Sequence, residues 1–237
     1  MINKISVKNL GSLALSEMCP RCTWLKMRLD FKLPFQIFPG IFGALDGYSK
    51  SITYCSHQKR GILPAWMAAA GITGVPQQVP HWSKFGKTDQ ATGIHFRGSP
   101  DELLKSDAGL FIPDYKVSKY NETHEGLTPM YKAQLNGYAD IAEYLGMGKV
   151  TGLALIYYEP LVELTVDTID GFLDLNGFKM AFAAKVVPIA REPQMVPDLL
   201  VKARDISSLA TAPAGRTGCK DCAALNDILV MSPSLGL

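Results

Sequence analysis

The sequence predicts a mixed α/β or α+β fold built on a single core. Its 237 residues are 47% hydrophobic, which is enough for one large domain. The spacing of apolar residues changes along the chain from helical to extended and back, and short connections rich in Gly and Pro separate the segments. Because helices and strands are interspersed, we expect helices packed on a sheet, with residues 1–237 forming a single domain.

The first elements are predicted to be helical. Residues 8–30 contain a helical segment with a candidate N-cap at Asn9 or Ser12 and an interruption at Pro20. The stretch "GIFGALDGYSKSI", which begins at Gly40, has apolar residues at helix-like intervals. A further helix, "LPAWMAAAG", is predicted to end at Gly71.

From residue 92 onward the pattern becomes extended. The runs "TGIHFRGSPDELL" and "AGLFIPDYKVSKY" are rich in strand-forming residues, and the stretch "KSDAG" between them contains Asp and Gly, which favour turns. These residues predict an antiparallel hairpin.

The second half continues with a helix, two strands and another helix. "TPMYKAQLNGYADIAEYLG" has Thr128 as its candidate N-cap, Pro129 at its first position and Gly146 at its end. "VTGLALIYYEPL" and "GFKMAFAAKVVPI" are predicted strands, and "PQMVPDLLVKARDISSL" is a predicted late helix.

Composition excludes two classes of protein. A net charge of +2 is too small for a protein that coats nucleic acid by charge alone, so any such contact must be local. The chain has no uncharged apolar run long enough to cross a bilayer, and its first residues lack the apolar core of a signal peptide. We therefore expect a soluble cytoplasmic protein with no membrane partner.

The predicted hairpin carries two carboxylates and a lysine. In a strand, Asp114 and Lys116 project from the same face while Tyr115 projects from the other, and Asp101 lies at the end of the partner strand or just past it. Two adjacent carboxylates repel unless a cation lies between them, and an all-oxygen site suits Mg²⁺ or Mn²⁺. A lysine beside such a site can act on a metal-bound water or stabilise developing negative charge.

These residues also have an ordinary structural interpretation. Asp101 can be a turn residue or helix cap, and Asp114 with Lys116 can form an exposed ion pair worth under about 1 kcal/mol. Gln134 and Tyr138, four apart on one face of the following helix, can contact a phosphate or a metal-bound water. Tyr138 also fits the apolar stripe of that helix, so both interpretations stay open.

Two C-x2-C pairs lie near opposite ends of the chain. Cys19 with Cys22 and Cys219 with Cys222 supply the four ligands of a Zn²⁺ site or an iron-sulfur cluster. Disulfides or buried thiols are the alternative, which a reducing cytoplasm disfavours. Cys55 is left over and is expected to be a small core residue.

Taken together, these motifs resemble the PD-(D/E)XK nuclease superfamily. Pro100-Asp101, Asp114-Tyr115-Lys116 and Gln134-x-x-x-Tyr138 are similar to the motifs of its RecB-like branch, and the resemblance covers residues from about 12 to 225. It implies a restriction-endonuclease-like core, with a central mixed sheet flanked by helices. The resemblance further implies that Asp101 and Asp114 are metal ligands and that the Tyr115 carbonyl is another. It implies Lys116 as the catalytic lysine, with Gln134 and Tyr138 completing the site.

The sequence departs from this pattern at two places. Many RecB-like members have a histidine or glutamate on the first core helix as another metal contact, where this chain has Asp46; that residue can instead lie on the polar side of the helix. Relatives of the CRISPR adaptation nuclease and of AddB hold a [4Fe-4S] cluster, usually with one cysteine before the domain and three after it. Here the split is two and two, so zinc remains an alternative, with residues 12–30 and 212–225 forming the metal-binding clip.

The resemblance implies a Mg²⁺- or Mn²⁺-dependent deoxyribonuclease, exonuclease-like, that acts in DNA repair or CRISPR adaptation. Its substrate is expected to be DNA with a single-stranded region, and a helicase or an integrase its partner. Trp82, in "HWSKFGK", is a candidate contact for unpaired bases, with a core position as the alternative. The rival hypothesis is a non-catalytic nucleic-acid-binding or scaffold protein of the same fold with a structural zinc site.

Overall fold

A computed structural model describes residues 2–32, 39–120 and 127–231. The helices and strands alternate irregularly along the chain. The helices are α1 (Val7–Gly11), α2 (Pro20–Arg28), α3 (Gly40–Arg60), α4 (Ala65–Ala69), α5 (Thr128–Tyr144), α6 (Met195–Ser208) and α7 (Lys220–Met231). The strands are β1 (Lys4–Ser6), β2 (Val75–Pro76), β3 (Gly86–Thr88), β4 (His95–Arg97), β5 (Leu104–Ser106), β6 (Gly109–Val117), β7 (Val150–Pro160), β8 (Leu173–Asp174), β9 (Gly177–Phe178) and β10 (Phe182–Ile189).

A mixed five-stranded sheet organises these elements, in the order β10-β7-β6-β5-β2. Strands β6 and β7 are parallel, with Asp114 opposite Leu155, and the other neighbours in this sheet are antiparallel. A smaller sheet has the order β1-β4-β3. The central mixed sheet flanked by helices confirms the predicted fold class.

The central sheet separates two apolar clusters. On one face, Ile112 and Leu155 pack with residues of α1, α5 and α6. On the other face, Tyr115 and Ile156 pack with Met67 of α4 and with neighbouring residues. Since successive side chains of a strand alternate between faces, Asp114 shares the α5 side with Ile112, whereas Tyr115 points toward α3 and α4.

Helix α5 packs closely on α1. A Cβ atom added at Gly137 would overlap the side chain of Val7, which is fully buried, so the absence of a side chain allows the two helices to approach. This contact fixes the position of α5 over the sheet, and with it the position of the polar residues that α5 carries.

Several predicted boundaries were wrong. The first helix is capped by Ser6, whose hydroxyl accepts a hydrogen bond from Asn9 N at 3.1 Å, and not by Asn9 or Ser12. Helix α5 already includes Thr128, so Leu127 is its N-cap residue. Among the described residues, α7 is a helix that the sequence pattern did not predict.

The hairpin is present but its first strand is shorter than predicted. Strands β5 and β6 pair through Leu104 with Phe111 and Ser106 with Gly109, whereas β4 belongs to the smaller sheet. The segment between β4 and β5 contains Pro100, which has no N–H to donate to a strand ladder. Asp101 therefore lies in a connection before β5 and not at the end of a long strand.

None of the helices within the described ranges combines the length and the apolar character needed to cross a bilayer.

Candidate functional site

Asp114 lies near the end of β6 and is almost fully buried, with 2% of its surface exposed. Its Oδ1 accepts a hydrogen bond from Gln134 Nε2 at 3.2 Å. Lys116 Nζ lies 2.5 Å from Oδ2 as an ion pair. In the described part of the chain, however, no donor approaches Oδ2 at the angles of a hydrogen bond. A buried carboxylate oxygen is therefore left without full hydrogen-bond compensation.

Asp101 is held against the free edge of β6. Its Oδ2 accepts a hydrogen bond from the backbone N–H of Tyr115 at 2.8 Å. This is possible because β5 pairs with β6 only as far as Phe111, and no strand of the described residues pairs with that edge beyond it. The structure thus brings Asp101, Asp114 and Lys116 together, although Asp101 lies in the connection before β5 and not at the end of a long strand.

The electrostatics of this cluster favour a bound cation. Burial, and then the negative charge of Asp101, raise the pKa of Asp114 to about 7, although the Lys116 ammonium opposes the shift. A buried carboxylate whose pKa is raised by a neighbouring carboxylate is stabilised in its charged form by a cation between the two. Carboxylate oxygens are also the ligands that Mg²⁺ prefers. The residues present therefore fit a divalent metal ion.

Gln134 and Tyr138 lie on the buried face of α5, as their spacing predicted. Gln134 Nε2 also lies 2.9 Å from the Tyr138 hydroxyl oxygen, so one amide group contacts both Asp114 and Tyr138. The Tyr138 ring packs in the apolar cluster beside Phe85, at 6.2 Å between ring centroids. The Tyr138 ring therefore belongs to the core while its hydroxyl faces the polar cluster, and a contact of that hydroxyl with a phosphate or a metal-bound water stays a prediction.

Within the described residues, Asp46 is linked to this cluster through Lys50, a lysine that the sequence pattern did not indicate. Lys50 Nζ lies 2.7 Å from Asp46 Oδ2 and 3.1 Å from Asp101 Oδ1. The carboxylate of Asp46 is about half exposed, whereas that of Asp101 is largely buried. The i,i+4 spacing of Asp46 and Lys50 on α3 was a signal for their ion pair, but not for the contact with Asp101.

A second buried acid lies behind Asp101. The Tyr115 hydroxyl donates to Glu102 Oε2 at 3.1 Å and lies 2.8 Å from Thr53 Oγ1 of α3. Burial raises the pKa of Glu102 to about 7. The pattern "PDELL" gave no indication that Glu102 is buried, because its position is set by α3 and β6 together. The predicted role of the Tyr115 carbonyl as a metal ligand stays a prediction.

The four cysteines of the two C-x2-C pairs converge on one point. All four Sγ atoms lie within 4.8 Å of one another, with separations of 3.5 Å for Cys19 and Cys222 and 3.4 Å for Cys22 and Cys222. Cys19 and Cys22 lie at the start of α2, and Cys219 and Cys222 at the start of α7. The two terminal segments are therefore brought together as predicted.

The donor set fits a metal centre. Four thiolates around one Zn²⁺ at roughly 2.3 Å stand about 3.8 Å apart in a tetrahedron. The 3.7 Å between Cys22 and Cys219 is close to this value. The backbone N–H of Arg216 also donates to Cys19 Sγ at 3.2 Å. Burial raises the pKa of Cys19, but the backbone N–H groups of Cys22 and Arg216, with the neighbouring thiols, lower it to about 6 overall.

Cys55 takes no part in this centre. It is exposed on α3, so its predicted core position was wrong.

No known family model matches the sequence, and no curated protein matches it. Among solved structures, the chain is similar to an alkaline exonuclease (LHK-Exo) from Laribacter hongkongensis, with a TM-score of 0.45 and 10% identity over 99% of this chain and 95% of that one. It is also similar to a protein named SSO0001, with a TM-score of 0.38 and 12% identity over 89% and 79% of the two chains. Both TM-scores lie below 0.5, a range in which similarity does not establish a shared activity.

Proposed function

We propose that the chain is a Mg²⁺- or Mn²⁺-dependent deoxyribonuclease of the PD-(D/E)XK, RecB-like type, with residues 1–237 acting as a single domain. The observation that carries the proposal is Asp114, a buried carboxylate with a pKa raised to about 7, held beside Asp101 and Lys116. A protein has little structural reason to bury two carboxylates together unless a cation binds there.

Each residue has a distinct part in the proposal. Asp101 and Asp114, with the Tyr115 carbonyl, would hold the metal ion, which supplies a nucleophilic water and stabilises charge on the phosphate. Gln134 holds Oδ1 of Asp114 and contacts Tyr138, so this pair fixes the orientation of the carboxylate. Lys116 is partly exposed at the rim of the cluster, from where its ammonium can donate to a water or a phosphate oxygen.

Asp46 has a secondary part. Its carboxylate is paired with Lys50, which also neutralises Asp101. We propose that Asp46 becomes a further metal ligand when Lys50 is displaced from between the two acids.

The proposed substrate is DNA with a single-stranded region, which the protein would cleave in an exonuclease-like manner in the cytoplasm. The proposed partner is a helicase or an integrase, and the proposed process is DNA repair or CRISPR adaptation.

For the cysteine centre, the alternatives are the [4Fe-4S] cluster and zinc, and the separations between the sulfur atoms favour zinc. An absorption band near about 400 nm in anaerobically purified protein would identify iron and sulfur, whereas a colourless protein with bound zinc would identify zinc.

One observation favours the non-catalytic alternative. Lys50 already forms an ion pair with Asp101, so part of the negative charge is compensated without a metal ion. A scaffold protein of the same fold would need no more than this.

The two functions are separated by an end-labelled DNA cleavage assay with Mg²⁺ or Mn²⁺. We expect the wild-type protein to release labelled nucleotides and Lys116→Ala to lose at least about 100-fold in rate, as is typical for loss of a positioned catalytic group. Lys105→Ala is a matched control, since Lys105 is an exposed lysine of the same hairpin. Cleavage by Lys116→Ala at the wild-type rate would exclude the proposed nuclease site.

A further inference from the structure

Trp82, in the loop before β3, and Arg97, at the end of β4, form an aromatic-cation stack in which Trp82 is exposed. We propose that this stack binds an unpaired base of a DNA strand and so selects substrates with a single-stranded region. That the ligand is DNA rests on the proposed function. The geometry of the stack rests on its own contacts and does not depend on that function.

The stack itself is well defined. Arg97 Cζ lies 4.3 Å from the centroid of the Trp82 ring, and the His81 ring lies beside it at 5.1 Å and an angle of 44°. Even so, 47% of the Trp82 surface is exposed, so the core position considered for Trp82 was wrong. Exposed aromatic rings supported by arginine are the surfaces on which proteins stack bases without reading their sequence.

Trp82 is the most exposed of the three tryptophans, although Trp24 likewise has a guanidinium over its ring, with Arg28 Cζ 4.8 Å from the centroid. Trp24 Nε1 donates to the Leu209 carbonyl at 3.0 Å, and Trp66 packs edge-on against Tyr158. For Trp82, the ring neighbours found within the described ranges are Arg97 and His81. About half of the Trp82 surface therefore remains open to a ligand.

Both halves of the stack are anchored on the candidate active site. Phe85, three residues after Trp82, is fully buried with its ring against Tyr138. Gly98, next to Arg97, lies so close to the same tyrosine that an added Cβ would stand 2.5 Å from its Cε1. The N–H of Gly98 donates to the Phe85 carbonyl at 3.1 Å.

The pairing of β3 with β4 completes this arrangement, because it places Gly86 opposite Arg97. The Trp82 loop and the end of β4 are therefore both packed on the Tyr138 ring, whose hydroxyl contacts Gln134. A base on Trp82 would therefore lie on a loop that packs against the same tyrosine as the carboxylate cluster.

The charge near the stack suits a phosphate backbone. Lys84 is exposed in the same loop, and Arg97 adds a second positive charge. Lys87 is not counted, because its ammonium is paired with Asp140 at 2.9 Å. With a net charge of only +2 for the whole chain, such a local group of cations is where nucleic acid would be attracted.

The test is a binding titration without divalent ions, so that no cleavage occurs. Fluorescein-labelled single-stranded oligonucleotide and blunt duplex DNA are titrated with wild-type protein, Trp82→Ala, Trp82→Phe and Phe178→Ala, and Kd is read from anisotropy. Phe178 is the matched control, since it is an aromatic residue 78% exposed on β9.

We expect Trp82→Ala to bind the single strand about 5- to 100-fold more weakly, the range typical of one lost stacked base. Trp82→Phe should restore most of the affinity, Phe178→Ala should match wild type, and the duplex Kd should change little. Tryptophan emission should be quenched by the oligonucleotide in the wild-type protein and not in Trp82→Phe, a signal that a purely structural role would not give.

A wild-type Kd for Trp82→Ala, or an equal loss for single strand and duplex that Trp82→Phe does not restore, would overturn the inference. Because Trp82→Phe keeps an aromatic ring, the quenching comparison decides the question even if Trp82→Ala fails to fold. If binding depends on Trp82 but no metal-dependent cleavage occurs, the proposed nuclease function is refuted and the stacking site stands. If cleavage occurs but binding does not depend on Trp82, the stacking site is refuted and the nuclease function stands.

Discussion

Replacing Asp114 with asparagine should stabilise the protein at neutral pH in the absence of divalent ions. The side chain is 2% exposed, and its charged form is disfavoured by burial and by Asp101, which together raise its pKa to about 7. Asparagine keeps an oxygen that can accept the hydrogen bond from Gln134 but carries no charge. The substitution should therefore remove an unfavourable buried charge while also removing a proposed metal ligand.

The magnitude follows from the difference between the folded and unfolded pKa values. The ordinary value is 3.8 and the folded value is about 7, which corresponds to roughly 4 kcal/mol. Because the folded pKa is the higher one, the stability that protonation gives is fully present below about pH 4 and is lost as pH rises to about 7. The stability advantage of Asp114→Asn should thus grow by roughly 2 kcal/mol between pH 5 and pH 7 and level off above about pH 8.

Urea unfolding from pH 5 to pH 8 measures this advantage. The buffer should be free of divalent ions but should contain no chelator, which would strip the cysteine centre. Glu102 titrates in the same range in both proteins, so its contribution cancels in the difference. Asp107→Asn, in the exposed turn of the hairpin, is the matched control. An advantage for Asp114→Asn that does not change with pH would refute the reasoning.

Two further predictions concern packing and the cysteine centre. Gly137→Ala should lower the free energy of unfolding by about 1–3 kcal/mol, because its methyl group would overlap Val7. Gly47→Ala, in the open part of α3, should instead raise the free energy of unfolding by up to about 1 kcal/mol. Equal effects of the two substitutions in urea unfolding would contradict this account. Cys222→Ser should bind its metal at least about tenfold more weakly and unfold at a lower temperature. Cys55→Ser should match the wild type in metal content and melting temperature. Full metal content in Cys222→Ser would show that the four thiols do not share one ion or cluster.

The parts of the site that the sequence predicted are those fixed by local geometry. The two-residue period of a strand places Asp114 and Lys116 on one face, and the four-residue spacing on a helix does the same for Gln134 and Tyr138. The convergence of the cysteines was predictable because a metal centre needs all four ligands at one point. In each case the chemistry and the period of the secondary structure point to the same arrangement.

The parts that the sequence did not predict depend on contacts between distant segments. Lys50 meets Asp101 because α3 packs against β6, and Asp101 is bound to the backbone along the edge of that strand. Glu102 is buried by the same packing. In helix α7, Cys222 is the one residue that is buried in the described structure. The position of α7 is therefore set by the cysteine centre rather than by a hydrophobic face, which is why the apolar pattern did not predict this helix.

The central claim is that the Asp101 and Asp114 carboxylates form a metal-dependent site for DNA cleavage. It is tested most directly by measuring the Mn²⁺-dependent cleavage of end-labelled DNA by wild-type and Asp114→Asn protein, each shown to be folded by its unfolding curve. The account predicts cleavage by the wild type that requires the metal ion, and no cleavage by Asp114→Asn although that protein is at least as stable. Equal cleavage by the two proteins, or none by folded wild-type protein on single-stranded, duplex or partly single-stranded DNA, would contradict it.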